Sequence, residues 1–190
     1  MRIVGGRMRG LKLAEVGAGD PAAHLRPTSD RVREAIFNLL VNGGHGNPLA
    51  GARVLDLFAG TGAMALEALS RGASEATLVE SGRAAQALIR RNLTLARAED
   101  CATLLPRDAT RLPPCTGPGF DLVFLDPPYA RSMGEATIGS AVAGHWIADN
   151  ALIVWEESVA PAIPAALRQI DQRRYGDTLV TLARYNPAND

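Results

Sequence analysis

Asp126-Pro127-Pro128-Tyr129 is the stretch of this 190-residue chain whose residue types most directly imply chemistry. Two consecutive prolines fix φ and remove two backbone donors. The Asp126 carboxylate and the Pro127 carbonyl are then free to face one point as paired acceptors. An amino group attached to a heteroaromatic ring has two donor hydrogens, one for each acceptor. Held that way, its nitrogen becomes more tetrahedral and turns its lone pair toward an electrophile. Tyr129 adds an aromatic face against which a base taken out of its stack can lie. The tetrapeptide closes the apolar run Asp121-Leu122-Val123-Phe124-Leu125.

A second group lies in Asp56-Leu57-Phe58-Ala59-Gly60-Thr61-Gly62, between a short apolar run and a helical segment. Glycines let such a loop turn sharply and approach a ligand. The following helix presents unpaired N–H groups and the positive end of its dipole to an anion. That anion could be the carboxylate of S-adenosylmethionine (AdoMet) or the pyrophosphate of a dinucleotide. With Ala65 in third place the loop also satisfies the relaxed dinucleotide pattern. Glu80, eighteen residues after Gly62, suits ribose hydroxyls in either case. Asp56 favours AdoMet, because an acid before the loop repels a pyrophosphate and accepts from a cationic amino acid.

These acids need strand ends to hold them, and the chain supplies strands. Runs at 53–58, 76–80, 102–106, 121–126 and 151–156 read as buried strands. Helical segments are expected at 63–71, 83–97 and 134–144, and another from about residue 28 to 42. A short helix broken by Pro164 is expected after Ala160, and a terminal hairpin at 169–175 and 178–185 about Gly176-Asp177. Alternation of strand and helix implies right-handed βαβ units and an open, mostly parallel sheet. Ligands of such sheets bind at the carboxyl ends of the strands, where Asp56, Glu80 and Asp126 all fall. Residues 1–14 read as a β-hairpin around Gly5-Gly6, followed by a polar loop to residue 25. The expected division is an extension over 1–25 and a main domain over 26–190.

Composition bounds the rest. Hydrophobic residues make up 47% and charged residues 21%, and the formal net charge is zero. A large core is therefore expected, and a grip on nucleic acid by bulk charge is not. No apolar run approaches the ~20 residues of a membrane span, and no charged N-terminus precedes an apolar stretch as in a secretory signal. Cys101 and Cys115 lack redox or ligand spacing, and His24, His45 and His145 are isolated, so no metal is expected. A cytoplasmic monomer is the expectation. Trp146 and Trp155 are expected in the core. The charge is uneven: Arg2, Arg7, Arg9 and Lys12 open the chain without an acid among them, and Arg26, Arg31 and Arg33 follow. These seven are candidate nucleic-acid contacts, which would position through phosphate rather than read sequence.

Two further stretches narrow the reading. Arg2-Ile3-Val4-Gly5-Gly6 and Arg26-Pro27-Thr28-Ser29-Asp30-Arg31-Val32-Arg33-Glu34-Ala35-Ile36-Phe37-Asn38, with the tetrapeptide and the glycine loop, resemble the bacterial small-subunit ribosomal RNA guanine-N2 methyltransferase family (the RsmD family) nearly end to end. The resemblance implies a Rossmann-like seven-stranded methyltransferase sheet with a small N-terminal hairpin and AdoMet as cofactor. It implies methylation of one guanine in 16S RNA of the small ribosomal subunit or its assembly intermediate. Asp126, Pro127, Pro128 and Tyr129 would act on the base. Asp56, Phe58, Gly60, Thr61, Gly62 and Glu80 would hold the cofactor, and Asp108 would meet the adenine amino group. The rivals are methylation of DNA adenine N6 or of a protein glutamine, a nicotinamide-dependent oxidoreductase that leaves the tetrapeptide without a task, and a non-catalytic RNA-binding assembly factor.

Overall fold

The computed structural model describes residues 1–15, 30–128 and 133–186. The elements run α1 (Asp30–Asn42), β1 (Arg53–Leu57), α2 (Ala63–Ser70), β2 (Glu75–Val79), α3 (Arg83–Ala96), β3 (Ala102–Leu105), a 3₁₀ turn (Ala109–Arg111), β4 (Phe120–Leu125), α4 (Met133–Ala143), β5 (Ile147–Glu157), β6 (Leu167–Tyr175) and β7 (Thr178–Tyr185). The seven strands form one sheet in the order β3-β2-β1-β4-β5-β7-β6. β1 to β5 are parallel, and β7 runs antiparallel between β5 and β6. The chain reverses its direction of travel across the sheet between β1 and β4, which opens a crevice at their carboxyl ends.

The strands are apolar on both faces because both faces are covered. Val54, Leu122, Phe124 and Val154 pack with α1, α2, α3 and the N-terminal residues Ile3 and Leu13. Leu55, Leu57, Val123, Leu125 and Ile153 pack with Ile138 and Ala141 of α4. Trp155 and Trp146 are buried there, as expected. Among the described residues no helix is long and apolar enough to cross a membrane.

One expectation needs correction. Residues 160–164 form no helix. Pro161 and Pro164 remove two amide donors three residues apart, and the segment closes only a turn, Leu167 N–H to Pro164 O, 2.9 Å. The N-terminal hairpin is present, as expected: Arg2 pairs antiparallel with Lys12, Ile3 N–H donates to Leu11 O (2.9 Å), Gly10 N–H to Ile3 O (2.8 Å) and Leu13 N–H to Met1 O (3.2 Å). Two further amides dock it on α2: Val4 N–H donates to Glu67 Oε2 (2.8 Å) and Met8 N–H to Ser70 Oγ (2.8 Å). Gly6 is required for this approach. Its φ is +72°, and a Cβ there would meet the Ser70 carbonyl at 1.9 Å.

Candidate functional site

The register of the sheet brings the three acids together. Asp56 lies opposite Leu78 and Phe124, so the residues after Val79 and Leu125, namely Glu80 and Asp126, follow two residues beyond its level on the two flanking strands. Asp56 is 3% exposed. Its Oδ2 accepts from the Ala65 N–H in the first turn of α2 at 3.1 Å, so the carboxylate itself takes one of the free amides at that helix end. Burial, opposed by that hydrogen bond but helped by the like charges of Asp126 and Glu80, pushes the Asp56 carboxyl up to about 7. Among the described residues no cation pairs with it.

The loop after β1 is held in an unusual backbone state. Phe58, Gly60 and Gly62 have φ of +62°, +57° and +78°. For Phe58 that region is strained, and for Gly62 a Cβ would also lie 2.8 Å from Leu78 Cδ2. Glu80 reaches across to fix the turn: Oε2 accepts from Gly60 N–H (3.0 Å) and Oε1 from Gly82 N–H (2.7 Å). Asp108 stands after β3 and caps the 3₁₀ turn by accepting from Thr110 N–H at 2.9 Å and Thr110 Oγ1 at 2.7 Å. The Thr110 hydrogen bonds hold its carboxyl below the usual aspartate range. Asp126 is half-buried, Pro127 buried and Pro128 exposed directly after β4. Tyr129, the fourth residue of the motif, lies outside the described residues.

The arrangement fits a cationic ligand with hydroxyl groups. Three carboxylates stand about the loop, and their negative charge suits the sulfonium and ammonium of AdoMet and would repel a pyrophosphate.

Asn92, which sequence reasoning missed, ties this loop to the N-terminal arm. It is fully buried on α3. Its Nδ2 donates to Thr61 O (2.9 Å) and Ala14 O (3.2 Å), and its Oδ1 accepts from Ala14 N–H (2.7 Å). The available signal was an Asn on the apolar face of α3, one turn from Ile89 and beside Leu93 and Ala96.

The basic residues divide. Arg2, Arg7, Arg9, Lys12 and Arg31 are exposed, and Arg26 lies outside the described residues. Arg33 is wholly buried and must be removed from the RNA contacts. Its guanidinium donates to Asp30 at 2.8 Å and to the Arg2 carbonyl, and its Nε lies 3.7 Å from Glu67. Glu67, itself buried, also accepts from Arg71 Nε at 2.7 Å. Arg33 shares one face of α1 with Ile36, Phe37 and Leu40, and that i, i+3, i+4, i+7 spacing was the signal of its burial.

A family model described as "Conserved hypothetical protein 95" matches residues 1–184. The chain is 40% identical over 164 residues to "Ribosomal RNA small subunit methyltransferase D" of Escherichia coli (strain K12), covering 86% of this chain and 78% of that protein. It is 35% identical over 159 residues to the protein of the same name from Haemophilus influenzae, covering 82% and 78%. The solved structure of yhhF from Escherichia coli superposes with a TM-score of 0.80 at 35% identity, covering 98% of each chain.

Proposed function

The chain belongs to the family of ribosomal RNA small subunit methyltransferase D, and from that premise we propose that it methylates the exocyclic N2 amino group of a guanine in 16S RNA. The observation that carries this reading is the convergence of Asp56, Glu80 and Asp126 at the carboxyl ends of three adjacent strands, at the crevice where the sheet order reverses. AdoMet, when bound, supplies a methyl group already activated on a sulfonium.

The residues of this chain then bind and orient. The ionised Asp56 carboxylate faces the positive charge of the amino acid portion, and Gly60, Thr61 and Gly62 bring backbone close to it. Phe58 turns the chain into that loop. Glu80, already aligned by the Gly60 and Gly82 amides, accepts from the ribose hydroxyls, and Asp108 accepts from the adenine amino group. Asp126 and the Pro127 carbonyl each accept one hydrogen of the guanine amino group, and Pro128 keeps the two acceptors rigid. Tyr129 stacks on the base. Holding the nitrogen in line with the methyl is the protein's main contribution, through position and fixed charge rather than covalent help.

Residues 1–25 form the arm of this enzyme and residues 26–190 the methyltransferase domain, and the protein works as a monomer in the cytoplasm. Arg2, Arg7, Arg9, Lys12, Arg26 and Arg31 meet phosphates of the small subunit or its assembly intermediate. The test is transfer of labelled methyl from AdoMet to three acceptors: small subunits lacking the native modification, naked 16S RNA, and DNA. Label in ribosomal RNA is expected. Label only in DNA overturns the substrate, and no label with AdoMet bound overturns the catalytic reading.

A further inference from the structure

We infer that α3 is a second RNA-docking surface, built from a row of arginines that grips phosphates beside the cofactor pocket; this rests on the reading of the chain as a ribosomal RNA methyltransferase. Arg83 opens α3, Arg90 lies seven residues on, and Arg97 follows after seven more at the helix cap. At 100° per residue, seven positions return to nearly the same face, and at 1.5 Å rise the row spans roughly 21 Å. Arg91 adds a fourth positive charge beside it, and α3 contains no acid. All four arginines are exposed. None of their side chains donates a hydrogen bond or forms an ion pair among the described residues. Glu99, the nearest acid after the helix, accepts from Thr94 instead.

Folding alone does not explain this row. Arg83 sits at the positive end of the helix dipole, where an acid is favoured. Arg97 occupies the left-handed region at φ +51°, a cap position that normally takes glycine or asparagine. A different face of the helix is used for packing, through Ala85, Ile89, Leu93 and Ala96, so the exposed arginines are left for a partner outside the chain. Guanidinium groups in a row with no acid among them match a string of phosphates, each of which a guanidinium contacts through two parallel hydrogen bonds. The place is suitable. α3 starts three residues after Glu80, and Asn92 on the same helix bonds Ala14 of the basic N-terminal arm. The helix therefore extends the arm's positive surface past the rim of the pocket.

The test compares the unaltered protein with a triple variant, Arg83→Gln, Arg90→Gln and Arg97→Asn. A matched triple on β6 at the far edge of the sheet, Arg168→Gln, Arg173→Gln and Arg174→Gln, removes the same charge elsewhere. Binding to unmodified small subunits and to naked 16S RNA is measured across salt concentrations, with methyl-transfer kinetics and AdoMet affinity. Three lost phosphate contacts should flatten the slope of log K against log salt by about 2. KM for RNA should rise roughly tenfold or more, with kcat and AdoMet affinity unchanged, and the β6 triple should behave as the unaltered protein. An α3 triple with unchanged slope and KM overturns this inference alone. So does an equal loss in both triples, which would mark bulk charge. Weakened binding to subunits with unaltered binding to naked RNA that the parent does bind would assign the row to an acidic ribosomal protein and also overturn it. A parent that neither binds nor methylates ribosomal RNA overturns the functional reading as well.

Discussion

At the scale of single residues, the account rests on where each acid stands and what surrounds it. Asp126→Ala should abolish methyl transfer while leaving AdoMet affinity within about twofold, because the acceptor is lost and the cofactor loop is untouched; calorimetry and transfer assays on one preparation separate the two. Asp56 makes a pH prediction with a definite sign. A cation binds the ionised carboxylate, and burial with neighbouring negative charge holds that carboxyl up to about 7. AdoMet affinity should therefore fall as pH drops below 7, by up to tenfold per unit, and level off above it. Asp56→Asn should bind weakly with a flat profile between pH 6 and 8, and an unchanged profile would remove Asp56 from the site. The acids and glycines of this site were legible in the sequence because their chemistry depends on their place at strand ends, and short buried runs announce strand ends. Arg33 was misread because charge alone suggested exposure, whereas its Glu67 partner is 34 positions away. Such pairings are set by packing, which no local pattern records.

Elements explain how the site takes its shape. The loop between β1 and α2 depends on positive φ at Gly62 and on the close approach of Leu78, which leaves no room for a Cβ. Gly62→Ala combines backbone strain with a clash and should destabilise by about 1–3 kcal/mol, read from denaturant melts, and weaken AdoMet binding as well. Asn92→Ala strands the Thr61 carbonyl and both backbone groups of Ala14. A cost of about 1–3 kcal/mol is expected for such buried, unsatisfied groups, with faster amide exchange at Ala14 as the specific signature. Strand and helix boundaries followed the apolar periods closely, since β1 to β4 and α2 to α4 fall within a residue of expectation. The N-terminal hairpin was legible as well, whereas the docking of its Val4 and Met8 amides on Glu67 and Ser70 was not, because those partners lie more than sixty positions away. Pro161 and Pro164 overruled the expected helix before β6.

For the whole molecule, one sheet does two tasks. Its buried faces stabilise the fold, and its reversal of order between β1 and β4 gathers acids that burial alone would separate from one another. That gathering has a stability cost that pH should expose. In the unfolded chain Asp56 titrates near 3.8, and in the folded protein near 7. Between those values the folded state binds the extra proton, so this group's contribution is present below 3.8 and lost as pH rises through 7. Without AdoMet, the melting temperature should drop from pH 5 to pH 8 relative to Asp56→Asn, and saturating AdoMet should reverse the difference. The buried Glu67 anchors arm, α1 and α2 together. Glu67→Ala leaves Arg33 charged and buried, which should cost about 3–5 kcal/mol, measured by chemical denaturation. The most direct test of the account is the identity of the methylated nucleoside. Unmodified small subunits are incubated with the protein and methyl-labelled AdoMet, and their RNA is digested to nucleosides and resolved by mass spectrometry. The account predicts one label, in N2-methylguanosine, absent with Asp126→Ala. Label in any other nucleoside, or in N2-methylguanosine with Asp126→Ala as strongly as with the unaltered protein, would contradict it.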